Sequence, residues 1–89
     1  MLHKTIVIKG WVQGVGFRYA ARKTAVQYGI SGFVKNLPDG SVYIEAEGSE
    51  TAVEEFLSWC HKGPLRAQIH SVTITEGPIQ GCKDFIIAF

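Results

Sequence analysis

An α+β sandwich, with two helices laid on one face of a small antiparallel sheet, is the fold class this sequence predicts. Three observations predict it. Strand-like and helix-period runs alternate in the order β-α-β-β-α-β with a short extra strand at the end. The middle two strand-like runs are joined by the turn tripeptide Pro38-Asp39-Gly40, and 89 residues leave room for a single domain spanning 1–89. This order is the split βαβ, or ferredoxin-like, arrangement, and no repeat, linker or low-complexity tract interrupts it.

Taken in order, Thr5 to Lys9 is rich in β-branched residues and closes on Gly10, which suits a half-buried or central strand. A glycine-punctuated loop follows from Trp11 to Gly16. Phe17, Ala20, Ala21, Thr24, Ala25 and Tyr28 then fall at helical spacing, and Gly29 stands where a C-cap belongs, so the spacing predicts a helix over Phe17 to Tyr28. Ile30 to Leu37 and Ser41 to Gly48 form a β-hairpin across the turn. Ser49 or Thr51 caps a second helix whose first turns carry Glu50, Glu54 and Glu55 and whose inner face is Val53, Phe56, Leu57 and Cys60. Gly63-Pro64 ends it, Ala67 to Thr75 returns as a strand with Val72 and Ile74 on one face, and Asp84 to Phe89 supplies the last strand.

Composition narrows the function. Nine Lys plus Arg against eight Asp plus Glu give +1, so the broad basic footprint of a nucleic-acid binder is missing. No apolar run approaches the roughly 20 residues of a membrane span, and the N-terminal residues read straight into strand alternation, so a cytoplasmic protein is expected. Two cysteines, Cys60 and Cys82, make neither a disulfide framework nor a C-x-x-C metal unit; free thiols are favoured, with a bridge between them left open.

The densest unusual stretch is Gly10 to Arg18, where three glycines lead from a strand into a helix that begins with an arginine. Backbone N–H groups of such a loop can converge on one oxyanion, and the first helical turn adds unpaired donors and the positive end of its dipole. Arg18 would add a bidentate fork, with Arg22 and Lys23 raising the local potential. Spacing alone equally allows a turn that redirects the chain, with Arg18 as a solvated helix charge. Two nucleotide motifs are excluded: Tyr19 occupies the third glycine position of G-x-G-x-x-G, and no G-K-[ST] is present.

Val12-Gln13-Gly14-Val15-Gly16-Phe17-Arg18, followed by Gly32-Phe33-Val34-Lys35-Asn36-Leu37-Pro38-Asp39-Gly40-Ser41-Val42, resembles the two signature segments of the acylphosphatases. The likeness continues through Gly48, the helix of Phe56 and Trp59, Gly63-Pro64 and the strand entry at Ala67 to Val72, so it covers nearly the whole chain. The resemblance implies a small monomeric hydrolase that cleaves the carboxyl-phosphate anhydride of a small-molecule acyl phosphate, without metal or cofactor. The family's arginine falls on Arg18, its asparagine on Asn36, and its phosphate-cradling loop on Gln13, Gly14, Val15, Gly16 and Phe17. Gly16 stands where some members carry an aromatic residue, and Ala88-Phe89 stands where many are more polar.

Residue chemistry agrees with that implication. An acyl phosphate expels a carboxylate of pKa near ~4 to 5, which leaves without a strong general acid. What the reaction needs is a held phosphoryl group, charge stabilisation at its oxygens and an oriented water. Asn36 suits the last task, because a carboxamide accepts from and donates to water. Without the resemblance, Asn36 reads more readily as a local backbone bonder beside the hairpin turn.

Other candidates read as structural. His3, His61 and His70 are scattered without metal-ligand spacing; Ser31, Ser41, Ser49, Ser58 and Ser71 lie in no nucleophile elbow; Glu45 and Glu47 alternate along one strand as an exposed, solubilising face. Two rival functions remain to be weighed. An RNA-recognition module shares this strand order but needs aromatic residues along its central strands, whereas Ser41 to Gly48 offers only Tyr43. A module that binds acyl or carbamoyl phosphate without turnover would usually be part of a longer chain.

Overall fold

In the computed structural model, which describes residues 1–89, the elements run β1 (Leu2–Trp11), α1 (Phe17–Tyr28), β2 (Ser31–Asn36), β3 (Val42–Gly48), α2 (Glu50–Lys62), β4 (Gln68–Gly77) and β5 (Phe85–Ile87). The sheet order is β4-β1-β3-β2-β5. The first four strands pair antiparallel, as the ferredoxin-like order requires. β5 departs from the antiparallel expectation: it lies parallel to β2, with Gly32 opposite Phe85, so the sheet is mixed at one edge. The last strand is also shorter than expected, because only Phe85 to Ile87 pair with β2.

The core lies between the sheet and the helices. Ile6, Ile8, Val34, Val42, Ile44 and Ala46 project from one sheet face onto Phe17, Ala21 and Ala25 of α1 and Val53, Phe56 and Cys60 of α2. Period-2 alternation in the strands and a 3.6 period in the helices bring these side chains onto one surface. Val72 and Ile74 share a face as expected, but β4 is an edge strand, so Val72 packs on the core and Ile74 stays exposed. Ser49 is the α2 cap, its hydroxyl accepting from the Ala52 N–H at 3.1 Å. Both cysteines are free thiols; Cys60 sits in the core, where burial pushes its thiol pKa up. No helix is long and apolar enough to cross a membrane.

The opposite sheet face corrects one expectation. Glu45 and Glu47 are not an exposed solubilising pair, because β3 is central, between β1 and β2. Register sets His3 opposite Glu47, and both are about 1% exposed. His3 Nδ1 lies 2.7 Å from Glu47 and Nε2 lies 2.9 Å from Glu45, while the backbone N–H groups of Gln80 and Cys82 donate to the Glu47 carboxylate at 2.7 and 2.9 Å. This network ties the segment between β4 and β5 across the sheet. Further along the face, Phe33 and Tyr43 stack at 5.9 Å, and Lys35 Nζ lies 5.4 Å from the Tyr43 ring centroid, so the two aromatic rings are engaged with each other and with a cation.

The network predicts a pH window of stability. The Gln80 N–H, acting against burial and helped by His3 and the Cys82 N–H, holds Glu47 at about 2 instead of its ordinary 4.5. Burial alone would lower the His3 pKa, but its hydrogen bonds to Glu47 and Glu45 and their charges outweigh that and raise it above 6.5. Glu47 therefore contributes fully above 4.5 and loses its contribution as pH falls towards 2. His3 contributes fully below 6.5 and loses its contribution as pH rises through the raised folded value. The urea midpoint is expected to peak between pH 4.5 and 6.5, and His3→Gln to flatten its alkaline limb. A wild-type midpoint still rising from pH 6 to 8 would contradict this assignment.

Candidate active site

β1 and β2 both run antiparallel to β3, so they point the same way and their C-terminal ends meet at one end of the sheet. The loop after β1 and the last residue of β2 are thus neighbours despite their separation in sequence. Ile8, Val42 and Asn36 occupy one row across the three strands. Asn36 lies two residues beyond the buried Val34 and so shares its face, towards the helices.

The loop is pinned from below and bare above. Val12 and Val15 are buried in the core, whereas Gly14 and Gly16 stand exposed at φ 73° and 77°. That left-handed backbone costs an L-residue roughly 1–2 kcal/mol, and no atom lies within 4 Å of where a Cβ would stand at either glycine. The concave side of the turn is therefore open.

The two helix starts differ sharply. α2 has its Ser49 cap and Glu50 in its first turn. α1 has Gly16 at its N-cap, which supplies no side-chain cap, and has no acidic residue in its first turn. Its first intrahelical bond is Ala20 N–H to Gly16 C=O, and the N–H groups from Gly14 to Tyr19 meet no acceptor in the protein. Six successive unpaired backbone donors and the positive end of a helix dipole thus stand together at this turn.

A cavity of about 120 Å³ occupies that space. Gln13, Gly14, Gly16, Phe17, Arg18 and Asn36 line it, six of the seven residues singled out from the sequence. The seventh, Val15, turns its side chain into the core and anchors the loop. Val12 and Tyr19 line the cavity as well and were not singled out; the position of Tyr19 beside Arg18 on the first helical turn is the signal that could have found it. The volume is below the ~300–1,000 Å³ of pockets that hold whole molecules, and suits one group of a ligand.

Two polar groups in the cavity lack protein partners. Asn36 Oδ1 is buried and accepts no hydrogen bond, which costs on the order of 1–3 kcal/mol. Arg18 forms neither an ion pair nor a hydrogen bond; its guanidinium carbon lies 5.0 Å from the Phe89 ring centroid. Arg22, expected to raise the potential at the loop, is instead tied to β5 by a 3.3 Å bond from its Nε to the Phe85 carbonyl. Lys23 is exposed and lines no cavity.

Gln13 has a role its sequence position does not disclose. Its carboxamide NH₂ donates to Leu37 C=O at 2.8 Å and Ser41 C=O at 2.9 Å, strapping the loop to the hairpin that carries Asn36. Its side chain is a brace, and only its backbone N–H is left for an anion. Each of the two carbonyls keeps a backbone partner, Gly40 N–H and Leu37 N–H respectively, so Gln13→Ala removes the strap without stranding an acceptor. That variant is expected to stay folded, keep its affinity for inorganic phosphate and lose about 10²-fold in kcat through misplacement of Asn36. Steady-state kinetics with phosphate as competitive inhibitor checks it, and an unchanged kcat would contradict the bracing role.

One group elsewhere has metal-ligand composition: donor atoms of His3, Glu47 and Cys82 lie within 4.8 Å of one another. They sit on the opposite sheet face, away from the cavity. Both His3 nitrogens face carboxylates and Glu47 already takes two backbone N–H groups, so the cluster is a satisfied hydrogen-bond network.

Fold and cavity together define a small ferredoxin-like domain with a cavity rich in unpaired donors at its first strand-to-helix turn. Residues 4–87 match the sequence profile of the family described as Acylphosphatase. The acylphosphatase of Archaeoglobus fulgidus is 44% identical over 89 residues, covering 100% of both chains. The crystal structure of acylphosphatase from Bacillus subtilis superposes with a TM-score of 0.97 at 37% identity, again covering 100% of both. The same fold matches 12% of the longer HypF of T. kodakarensis at 35% identity, with a TM-score of 0.86 and 100% of this chain covered. The chain belongs to the acylphosphatase family, and it is a hydrolase acting on acid anhydrides.

Proposed function

We propose that this protein hydrolyses acyl phosphates to a carboxylate and inorganic phosphate, with Gly14 to Arg18 and the Gln13 backbone holding the phosphoryl group and Asn36 orienting the attacking water. One observation carries this reading. A buried acceptor with no partner, an unpaired guanidinium and five residues with unpaired N–H groups, Gly14 and Gly16 to Tyr19, line the same cavity. Donors and fixed charge select a phosphoryl dianion, and the lone acceptor is what a nucleophilic water donates to.

In the reaction so supported, the backbone amides and the Arg18 fork bind the phosphoryl oxygens, which carry the charge of the transition state. Asn36 Oδ1 takes one hydrogen bond from water and sets its lone pair towards phosphorus. The water oxygen forms a bond to phosphorus as the bond to the bridging oxygen breaks, and that electron pair leaves on the carboxylate. A carboxamide is no base, so the water proton passes to a phosphoryl oxygen. The carboxylate, with pKa near ~4 to 5, needs no proton to leave. The same reading has the protein act as a single-domain monomer in the cytoplasm.

Release of phosphate from benzoyl phosphate with EDTA present tests the proposal. Undiminished turnover in EDTA is the expected result. Turnover that needs an added divalent cation would overturn the metal-independent mechanism.

A further inference from the structure

The sheet face opposite the helices carries a side-chain cluster that the hydrolytic reaction does not use. His3 from β1, Glu45 and Glu47 from β3 and Cys82 from the connection between β4 and β5 meet there. Donor atoms of His3, Glu47 and Cys82 lie within 4.8 Å of one another, with His3 and Glu47 buried and Cys82 partly so. Around a tetrahedral Zn²⁺ with bonds of ~2.0–2.3 Å, neighbouring ligand atoms stand roughly 3.3–3.8 Å apart. A movement of about 1 Å by Cys82, on its irregular and solvent-reached segment, closes that difference.

The groups around these three side chains are those a metal centre needs. A metal-bound histidine almost always turns its other ring nitrogen to a carboxylate, a carbonyl or water. His3 Nδ1 faces Glu47 Oε2 at 2.7 Å, and its Nε2 faces Glu45 Oε1 at 2.9 Å. Glu45 is held in turn by the Tyr43 hydroxyl, which donates to its Oε2 at 2.8 Å. The backbone N–H groups of Gln80 and Cys82 donate to Oε2 and Oε1 of Glu47, fixing that carboxylate beside the thiol. Cys82 enters the network through its N–H, which leaves its sulfur as a further ligand atom at the same place.

Protons satisfy the cluster when no cation is bound. One imidazole then faces two carboxylates, so negative charge is in excess. Burial, with the charges of Glu47 and Glu45, raises the Cys82 thiol pKa and keeps the thiol protonated. A divalent cation takes the place of two protons, the one between His3 Nδ1 and Glu47 and the one on the thiol, and both pass to solvent. His3 keeps its Nε2 proton against Glu45.

We propose that His3 Nδ1, the Glu47 carboxylate and the Cys82 thiolate form a binding site for one borderline-soft divalent cation of the Zn²⁺ class, with Glu45 orienting the imidazole. Imidazole and thiolate favour Zn²⁺ and Co²⁺ over Mg²⁺ and Ca²⁺. The ion clamps residues 78–84 to β1 and β3, so its effect falls on stability. The proposal is independent of acyl phosphate hydrolysis, and neither outcome of its test bears on turnover in EDTA.

Titration of the reduced, chelator-treated protein with Co²⁺ tests the site. The expected result is a thiolate-to-cobalt charge-transfer band that saturates at one equivalent, with a Kd of about 10 μM or tighter, and that Zn²⁺ but not Mg²⁺ displaces. Cys82→Ser is expected to abolish the band and Cys60→Ala to keep it. Glu45→Gln is expected to keep the band and weaken binding by about 10-fold or more, as when a group that orients a ligand is lost. Zn²⁺ at about 100 times its Kd is expected to raise the melting temperature of the wild type by about 5 °C or more, and not that of Cys82→Ser. The wild-type titration decides the matter even if a variant misfolds. No saturating band in the wild type, a band that survives Cys82→Ser, or displacement of Co²⁺ by an equal concentration of Mg²⁺ would each overturn the site.

Discussion

Asn36→Ala is expected to lower kcat on benzoyl phosphate by about 10²–10⁴-fold, the range associated with losing a group that positions a reacting proton or water. The Kd of inorganic phosphate is expected to stay within about 3-fold of wild type, because the cradle of backbone donors and Arg18 does not include the carboxamide. Stability moves the other way from activity. Asn36 Oδ1 is a buried acceptor without a partner, so removing it relieves a cost on the order of 1–3 kcal/mol, set against some lost packing. The variant is expected to melt no lower than wild type, as befits a residue held in an unfavourable setting for function. A kcat within tenfold of wild type would remove Asn36 from the mechanism, and a marked fall in melting temperature would show that the carboxamide holds up the hairpin instead.

Arg18→Lys is expected to lose about 10²-fold or more in kcat/KM, or ~2.7 kcal/mol of transition-state stabilisation, with phosphate affinity reduced as well. The substitution keeps the charge but replaces a rigid planar fork with a point charge on a flexible stem. It also removes the contact of the guanidinium with the Phe89 ring. Arg18 has no carboxylate partner to strand, so no folding penalty confounds the kinetics. Wild-type efficiency in this variant would mean that charge alone suffices and that the bidentate grip is not used.

Local chemistry was legible and long-range pairing was not. α1 spans Phe17–Tyr28, as the periodicity and Gly29 predict, because those signals act within a turn or two of the residues they describe. Ser49 as cap and Pro38-Asp39-Gly40 as turn are local in the same sense. β1 is longer at both ends than its β-branched centre, running Leu2–Trp11, since pairing with β4 along its length extends a strand past the residues that favour it. Glu47 looked like a surface charge because its partners, His3 and the Gln80 and Cys82 backbone, lie 44, 33 and 35 residues away. The site divides along the same line. Loop glycines, Arg18 and Asn36 were found from motif chemistry, whereas the use of Gln13 as a brace depends on two hairpin carbonyls at 2.8 and 2.9 Å that no spacing reveals.

A crystal structure of the protein with bound phosphate tests the central claim most directly. The account predicts one phosphate in the small cavity, its oxygens 2.7–3.1 Å from several N–H groups between Gly14 and Tyr19 and gripped by two Arg18 nitrogens, with a water between phosphorus and Asn36 Oδ1. Phosphate bound instead near Arg22 and Lys23, with the loop amides unoccupied and Arg18 turned away, would contradict it.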